Sequence, residues 1–391
     1  MSSRKRRLQF GAGFFALVLV LAACSSSKNN TSTSSGSNGT TEVSLAYVGP
    51  LTGDSANLGI NIRDGAKTAI DAYNKKGGKI HVTLKEFDTK GDPAQATTVK
   101  DSYINDKSII GVIGPAFSGE TKAVLPSYDE AGLVMISSSA TNTQLPTVAT
   151  NKHVFHRVIA DDSFQGKGIG DYITDTLKSK SIVVVDDNSE YGKGLADDTT
   201  KEIQAKGQQV AKRLSVDPKS QDFSAAVNDA KAANPDVIMY AGYYQEAGRL
   251  RKQLKDGGVN AQFISGDGSL DPGFIAAAGP DAAEGALLSC PCNLATETST
   301  GPLGDFFKAY QADNNNAVPG TYSPEAFDVA NIFLQGIDAG NTDRAKMLSF
   351  VNGLTTYTGI SKTISFESNG NLKTPSLFVF TVQNGKLTAK Q

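Results

Sequence analysis

The amino-acid sequence predicts an α/β protein made of two doubly wound lobes. Short apolar runs rich in β-branched residues alternate with stretches whose apolar residues have helical spacing. Some of these runs, such as residues 109–113, are apolar throughout, which is typical of parallel strands that helices cover on both faces. This alternation begins near residue 43 and begins again near residue 181, so the sequence contains one series for each lobe.

Each series predicts strands and helices in alternating order. The first predicts strands at residues 43–48, 82–87, 109–113 and 133–136, and helices at residues 62–73, 94–104 and from about Glu120. The second predicts strands at residues 181–185, 237–240 and 262–265, helices at residues 194–205, 223–232 and 246–255, and a hairpin from residue 376 that turns at Gln383-Asn384-Gly385. Doubly wound sheets bind ligands in the loops that follow the strands, so these loops are the places to search for a site.

The composition fits a folded chain of two domains. The chain has 391 residues, of which 39% are hydrophobic and 20% are charged. A formal net charge of -2 gives no support to a nucleic-acid partner. The histidines lie in no recognisable nucleophile–base motif, so the sequence does not favour an enzyme. No cofactor and no metal site are predicted.

Residues 1–23 predict an export signal. Basic residues at positions 4–7 precede an apolar run that is too short to cross a bilayer and ends at Leu21-Ala22-Ala23-Cys24. This ending resembles the bacterial lipobox, in which the cysteine thiol carries the lipid; an ordinary signal peptide with an incidental cysteine is the alternative. Residues 24–42 are mostly Ser, Asn, Thr and Gly and predict a flexible tether. We therefore expect an extracytoplasmic protein that Cys24 anchors to the membrane through lipid.

Two loops of the first series carry hydroxyl groups. Ser118 lies between the strand at 109–113 and the helix near Glu120, where a hydroxyl and free backbone N–H groups suit a bound carboxylate. A helix cap with no ligand is the alternative. Residues 137–142 follow the next strand and could offer further donors to the same anion, although hydroxyl-rich loops are often only turns.

Three residues of the second series follow its strands. Tyr191 and Tyr243 come after two of them, where a tyrosine either packs or contacts a ligand. Asp267 lies between two glycines after the strand at 262–265, so a ligand could approach it closely. A carboxylate there could bind an ammonium group through a charge-assisted hydrogen bond, and a turn aspartate is the alternative.

These loops, in this order, resemble the type I periplasmic binding proteins, specifically the branched-chain amino acid binding family of ABC transporters. Matching segments are residues 45–53, Met135-Ile136-Ser137, residues 190–194, Asp222-Phe223-Ser224, residues 241–244 and Ala283-Glu284-Gly285. The resemblance implies two Rossmann-like lobes joined by three hinge crossovers, near Ala160, Cys290 and Ser365. The first lobe would contain residues 43–160 and 290–364, and the second lobe residues 161–289 and 365–391.

The resemblance also implies a role for each site residue. Ser118 and Thr141 match residues that bind the ligand carboxylate, whereas the backbone at Ser139 and Ala140 and the side chain of Asp267 match groups that hold the ammonium. Tyr191 and Tyr243 match tyrosines that close over the ligand, and Phe117, Leu58 and Tyr322 match positions in the side-chain pocket. The sequence departs from the family at two of these positions, because Asp267 replaces a common glutamate and Leu58 a common tyrosine.

The implied function is that of the substrate-binding component of an ABC importer. The protein would capture leucine, isoleucine, valine or a similar ligand as a monomer and deliver it to the permease. An amide, urea or an aromatic acid as ligand, or a sensing receptor on the same fold, are the alternatives. Cys290 and Cys292 flank Pro291 at an implied crossover, either as free thiols or as a strained disulfide.

Overall fold

Two β-sheets, each covered by helices, organise the chain between residues 40 and 390, the part that the computed structural model describes. The predicted signal, the lipid-carrying Cys24 and the tether as far as residue 39 lie outside the described residues. The first strand begins at Thr41, so the prediction that the tether extends to residue 42 is wrong at its end. Thr41 donates its backbone N–H to the carbonyl oxygen of Lys79 at 2.8 Å, and this pairing extends the strand into polar sequence.

The first sheet contains five parallel strands in the order β2-β1-β3-β4-β5. They are β1 (Thr41–Gly49), β2 (Ile80–Asp88), β3 (Ile109–Ile113), β4 (Met135–Ser137) and β5 (Phe155–Arg157). Helices α1 (Ala56–Lys75), α2 (Pro93–Ile104) and α3 (Ser118–Ala131) connect the first four of these strands. Strand β3 is buried at every position, as its uninterrupted apolar sequence predicts.

The second sheet begins after β5. Its first strands are β6 (Ile182–Asp186), β7 (Val210–Ser215), β8 (Val237–Ala241), β9 (Gln262–Ser265) and β10 (Leu287–Cys290). Its helices are α4 (Asp162–Asp171), α5 (Glu190–Ala205), α6 (Ser224–Ala233), α7 (Tyr244–Asp256), α8 (Pro272–Ala278) and α9 (Pro280–Ala283). Each of these strands pairs in parallel, and the two-lobe α/β fold that the sequence predicts is confirmed.

After β10 the chain returns to the first sheet and then crosses back. Helices α10 (Gly301–Asp313), α11 (Ser323–Asp338) and α12 (Arg344–Asn352) are followed by the short strands β11 (Tyr357–Thr358) and β12 (Thr363–Ile364). Helix α11 lies so close to α1 that a Cβ atom at Gly65 would collide with the carbonyl oxygen of Ser323. The first lobe is therefore completed by residues that follow most of the second lobe along the chain.

The predicted C-terminal hairpin is confirmed and completes the second sheet. Strands β13 (Phe378–Gln383) and β14 (Lys386–Ala389) are antiparallel, and β13 pairs with β10. The full order is β14-β13-β10-β9-β8-β6-β7. Cys290 and Cys292 form a disulfide where the chain leaves β10, which decides between the two states that the sequence left open. None of the helices between residues 40 and 390 is both long and apolar enough to cross a bilayer.

Candidate functional site

A small cavity lies where loops of the two lobes meet, and we call it the interlobe cavity. It has a volume of about 10 Å³, roughly the space of one water molecule. It is lined by Leu58, Phe117, Ser118, Ser139, Tyr191, Tyr243, Asp267, Gly268 and Tyr322. Eight of the ten predicted ligand-binding residues therefore come together here, whereas Ala140 and Thr141 are buried but do not line the cavity.

Ser118 is the first residue of α3, and its hydroxyl does not cap that helix. The sequence predicted that helix α3 begins near Glu120, whereas it begins at Ser118. The earlier start arises because the Glu120 side chain reaches back to accept the backbone N–H of Phe117 at 2.8 Å. The Ser118 Oγ instead accepts the N–H of Asn142 at 3.1 Å. The hydroxyl thus joins the two loops of the first lobe that the sequence singled out, at the positive end of a helix.

The hydroxyl-rich loop at residues 137–142 is held by its own side chains. Ser137 Oγ accepts the N–H of Ala140 at 2.9 Å, and Ser139 Oγ donates to the carbonyl oxygen of Ala116 at 2.6 Å. Thr141 lies behind the cavity, and its buried Oγ1 has no hydrogen-bond partner among residues 40–390. These hydrogen bonds hold the loop in place, and only Ser139 of the loop lines the cavity.

Asp267 lies opposite this loop and is almost fully buried, with 1% of its surface exposed. Its Oδ1 accepts the hydroxyl of Tyr191 at 2.7 Å and the side-chain N–H of Gln165 at 2.8 Å, and its Oδ2 accepts the hydroxyl of Tyr322. Burial raises the pKa of Asp267 to about 6, although these hydroxyl donors oppose the shift. The group is therefore ionised at neutral pH, and Oδ2 can still accept one more donor.

Aromatic rings from both lobes meet at the cavity. The ring of Phe117, from the first lobe, lies 4.4 Å from that of Tyr243, from the second lobe, between centroids. Tyr243 also packs against Tyr191 at 5.3 Å. Leu58, on α1, is fully buried beside them. These apolar surfaces form the part of the wall that the polar groups do not occupy.

Tyr322 has an unusual backbone conformation at the start of α11. Its φ of 71° and ψ of -4° lie in the left-handed region, which a bulky residue adopts only at a cost of about 1–3 kcal/mol. The residue is buried, and its hydroxyl reaches Asp267 from the first lobe. The strained backbone thus accompanies a side chain that connects the two lobes at the cavity.

Two residues of the site were missed by the sequence analysis. Gly268 lines the cavity and donates its N–H to the hydroxyl of Tyr191 at 3.1 Å. Its position next to Asp267 was the available signal. Gln165, which bonds to Asp267, lies on α4 and has no signal in its local sequence.

The rest of the described chain offers a larger groove but no metal centre. A groove of about 710 Å³ lies between the C-terminal hairpin and residues 172–176 and 293–296, but Lys390 is the only charged side chain among its lining residues. Its lining residues include no carboxylate that could bind an ammonium group, unlike those of the interlobe cavity. Within the described chain, no three His, Cys, Asp or Glu side chains are placed so that they could hold a metal ion.

Comparison with known proteins identifies the family of the chain. Residues 42–386 match the family described as periplasmic binding protein. The leucine-, isoleucine-, valine-, threonine- and alanine-binding protein of Pseudomonas aeruginosa is 32% identical over 343 residues, which cover 87% of this chain and 89% of the relative. The substrate-binding protein LivJ of Streptococcus pneumoniae, solved with isoleucine, has a TM-score of 0.81 at 26% identity and covers 89% of this chain and 99% of its own. The leucine-binding protein LivK of Thermotoga maritima has a TM-score of 0.80 at 26% identity, over 89% of this chain and 98% of its own.

Proposed function

The chain belongs to the periplasmic binding protein family, and from that premise we propose that it captures a branched-chain amino acid between its lobes and delivers it to the permease of an ABC transporter. One observation carries the proposal. A buried carboxylate with a free acceptor position lies opposite a helix N-terminus and the Ser118 hydroxyl, across a cavity with apolar walls.

The two ends of a zwitterion match the two polar sides of the cavity. The N-terminus of α3 and the hydroxyl of Ser118 favour a carboxylate, because the helix dipole and a free hydroxyl donor both stabilise negative charge. Asp267 favours the ammonium group through a charge-assisted hydrogen bond. By the resemblance, the Thr141 hydroxyl would join the carboxylate side, and the backbone of Ser139 and Ala140 would join the ammonium side, once the lobes open to admit the ligand.

The ligand side chain would face the apolar wall. Leu58, Phe117 and the tyrosine rings offer hydrocarbon contact, which suits an aliphatic side chain. The relatives' names point in the same direction, since they refer to leucine, isoleucine and valine.

Ligand entry would require the lobes to separate. A cavity of about 10 Å³ is far smaller than an amino acid. Contacts such as the ion pair between Lys122 and Glu190 at 2.7 Å and the hydrogen bond from Asn57 to Asp271 at 3.0 Å bridge the lobes and would break on opening. We place the hinges at the predicted crossovers near residues 160, 290 and 365. Closure of the lobes would be a shift of population towards the closed state, which the ligand drives by binding that state more tightly.

The membrane attachment is part of the same proposal. Residues 1–23 would be removed as an export signal, Cys24 would carry the lipid, and the following polar residues would tether the binding domain near its permease. Mass spectrometry of the protein from membranes would show a diacylated N-terminal cysteine. Recovery of the unmodified chain from the soluble fraction would contradict the anchor without affecting the binding proposal.

The test of the binding function is a ligand screen of residues 25–391 by thermal shift, followed by calorimetry. Leucine, isoleucine and valine are expected to raise the melting temperature and to titrate with one site per chain. Amides, urea and benzoate serve as the comparison set. Stabilisation by members of that set alone, with no response to any amino acid, would contradict the proposal.

The pH dependence of binding provides a further check. Because an ammonium ligand requires the ionised form of Asp267, its affinity should fall by about tenfold per pH unit below the pKa of about 6. The contribution of Asp267 to the stability of the free protein has the opposite sign. Its folded pKa exceeds the ordinary value of 3.8, so this contribution is lost as the pH rises through about 6. Calorimetry between about pH 5 and pH 8 measures the fall in ligand affinity at low pH. An affinity that does not change over this range would contradict the prediction.

Leu58 should set the size of the accepted side chain. A Leu58→Tyr variant fills the wall with a larger ring, so we expect the affinity ratio of alanine to leucine to rise by about tenfold or more. Leu58→Ala enlarges the cavity and should move the ratio in the opposite direction, towards larger ligands. An unchanged order of ligands in both variants would place Leu58 outside the pocket.

A further inference from the structure

Arg157, the last residue of β5, is fully buried directly behind the hydroxyl-rich loop. Its Nη1 donates to the carbonyl oxygens of Ala140 and Asn142, at 3.1 Å and 2.9 Å. Because the C=O and N–H of a trans peptide point in opposite directions, the N–H of Thr141 is directed away from the guanidinium. The side chain thus fixes the orientation of two peptide groups in the loop that faces the proposed ligand carboxylate.

The other nitrogens of Arg157 hold two chain segments that run between the lobes. Nε donates to Oδ1 of Asn371 at 2.9 Å, and Nη2 lies 3.4 Å from Oδ2 of Asp161. Asp161 caps α4, the first element after β5, and Asn371 precedes β13, where the chain returns to the second sheet. Asn371 also donates to Asp161 at 3.3 Å, which closes the network.

The network requires an arginine in particular. A buried guanidinium is tolerated only when its donors are paired, and here four of its five N–H donors have acceptors. Burial lowers the pKa of Arg157 to about 10, while Asp161 and Asp162 oppose the shift, so the charge is retained at neutral pH. A lysine keeps the charge but cannot reproduce the planar fork that reaches the loop and both segments.

We propose that Arg157 is a positioning residue of the ligand site, which holds the loop at residues 140–142 in the orientation that binds the ligand carboxylate. Through Asp161 and Asn371, it also couples this orientation to the two chain segments that run between the lobes and move when the lobes close. The inference rests on the proposed function, because it assumes a ligand with a carboxylate at this loop. Arg157 does not line the interlobe cavity and acts only through the backbone it holds.

The test is a pair of double-mutant cycles measured by leucine affinity. Arg157→Lys should weaken binding by about tenfold in the otherwise unchanged protein. In a Ser118→Ala background, where binding of the ligand carboxylate is already impaired, Arg157→Lys should lower leucine affinity by less than about threefold. In an Asp267→Asn background it should lower leucine affinity by the full factor of about ten. Equal losses in all backgrounds, or no loss at all, would overturn the proposal, since a general structural role predicts no such asymmetry.

Controls separate this inference from folding effects and from the proposed function. Arg344→Lys is the matched variant, because Arg344 also donates to backbone carbonyl oxygens, those of Ile109 and Asp106, at 2.8 Å each. This variant should change the melting temperature and leave leucine affinity unchanged. If Arg157→Lys does not fold, Asn371→Ala removes one acceptor and should show the same asymmetry with a smaller loss. If the unchanged protein binds no leucine, the proposed function fails first, and the cycles are run with whichever carboxylate ligand it does bind; binding of no carboxylate ligand overturns both.

Discussion

Asp267→Asn is expected to weaken amino-acid binding by at least about 2 kcal/mol, roughly 30-fold, which is the scale of a lost charge-assisted hydrogen bond. The substitution keeps the shape of the side chain and an oxygen that can accept from Tyr191 or Tyr322. It removes the negative charge that would balance the ligand ammonium in a buried site. Calorimetry with leucine measures the loss, and the pH dependence of affinity below about 6 should disappear in the same variant.

Asp328→Asn is the matched control for this change. Asp328 is as buried as Asp267, accepts the backbone N–H groups of Ile360 and Ser361 at 2.8 Å and 2.9 Å, and has a pKa that burial also raises to about 6. It does not line the interlobe cavity, so its replacement should lower thermal stability and leave leucine affinity unchanged. Equal affinity losses in both variants would mean that the Asp267 effect comes from the fold.

Tyr243→Ala is expected to cost about 2 kcal/mol of binding free energy, because a ring that both lobes share at closure is removed. Tyr243 packs against Phe117 in the opposite lobe and against Tyr191 in its own. Tyr243 is partly buried and packs on both rings, so the melting temperature of the ligand-free protein should also fall, alongside the loss of affinity. The loss should appear mainly as faster ligand dissociation in stopped-flow measurements, since a closed state that is less stable opens sooner.

Tyr243→Phe separates the ring from its hydroxyl. The phenylalanine retains both aromatic contacts, so its affinity for leucine should stay within about threefold of the original. A loss as large as that of the alanine variant would assign the effect to the hydroxyl. Unchanged binding in both variants would show that Tyr243 does not take part in closure.

The fold was predictable because its signals are local. Strands such as β3 and β8 have uninterrupted apolar sequences bounded by turn residues, and they begin at the predicted positions. Element boundaries were harder to predict, because they depend on side chains that act at a distance. The start of α3 at Ser118 depends on Glu120 bonding back to Phe117, and the start of β1 at Thr41 depends on pairing with β2.

The site was predictable where its residues follow strands and only partly elsewhere. Ser118, Tyr191 and Asp267 follow the rule that ligands bind at the carboxyl ends of strands, and all three line the cavity. The contributions of Gln165 and Arg157 were not visible in the sequence. Arg157 lies in a three-residue strand, and its burial depends on Asn371, which is 214 positions further along the chain.

The close approach of α1 and α11 has a consequence for how the protein is made. The groove beside Gly65 is filled by residues near Ser323, and the β10 edge of the second sheet is covered only by β13, close to the end of the chain. Neither half can assume its final form during synthesis until the last third of the polypeptide has emerged, so the two halves must mature together rather than one after the other.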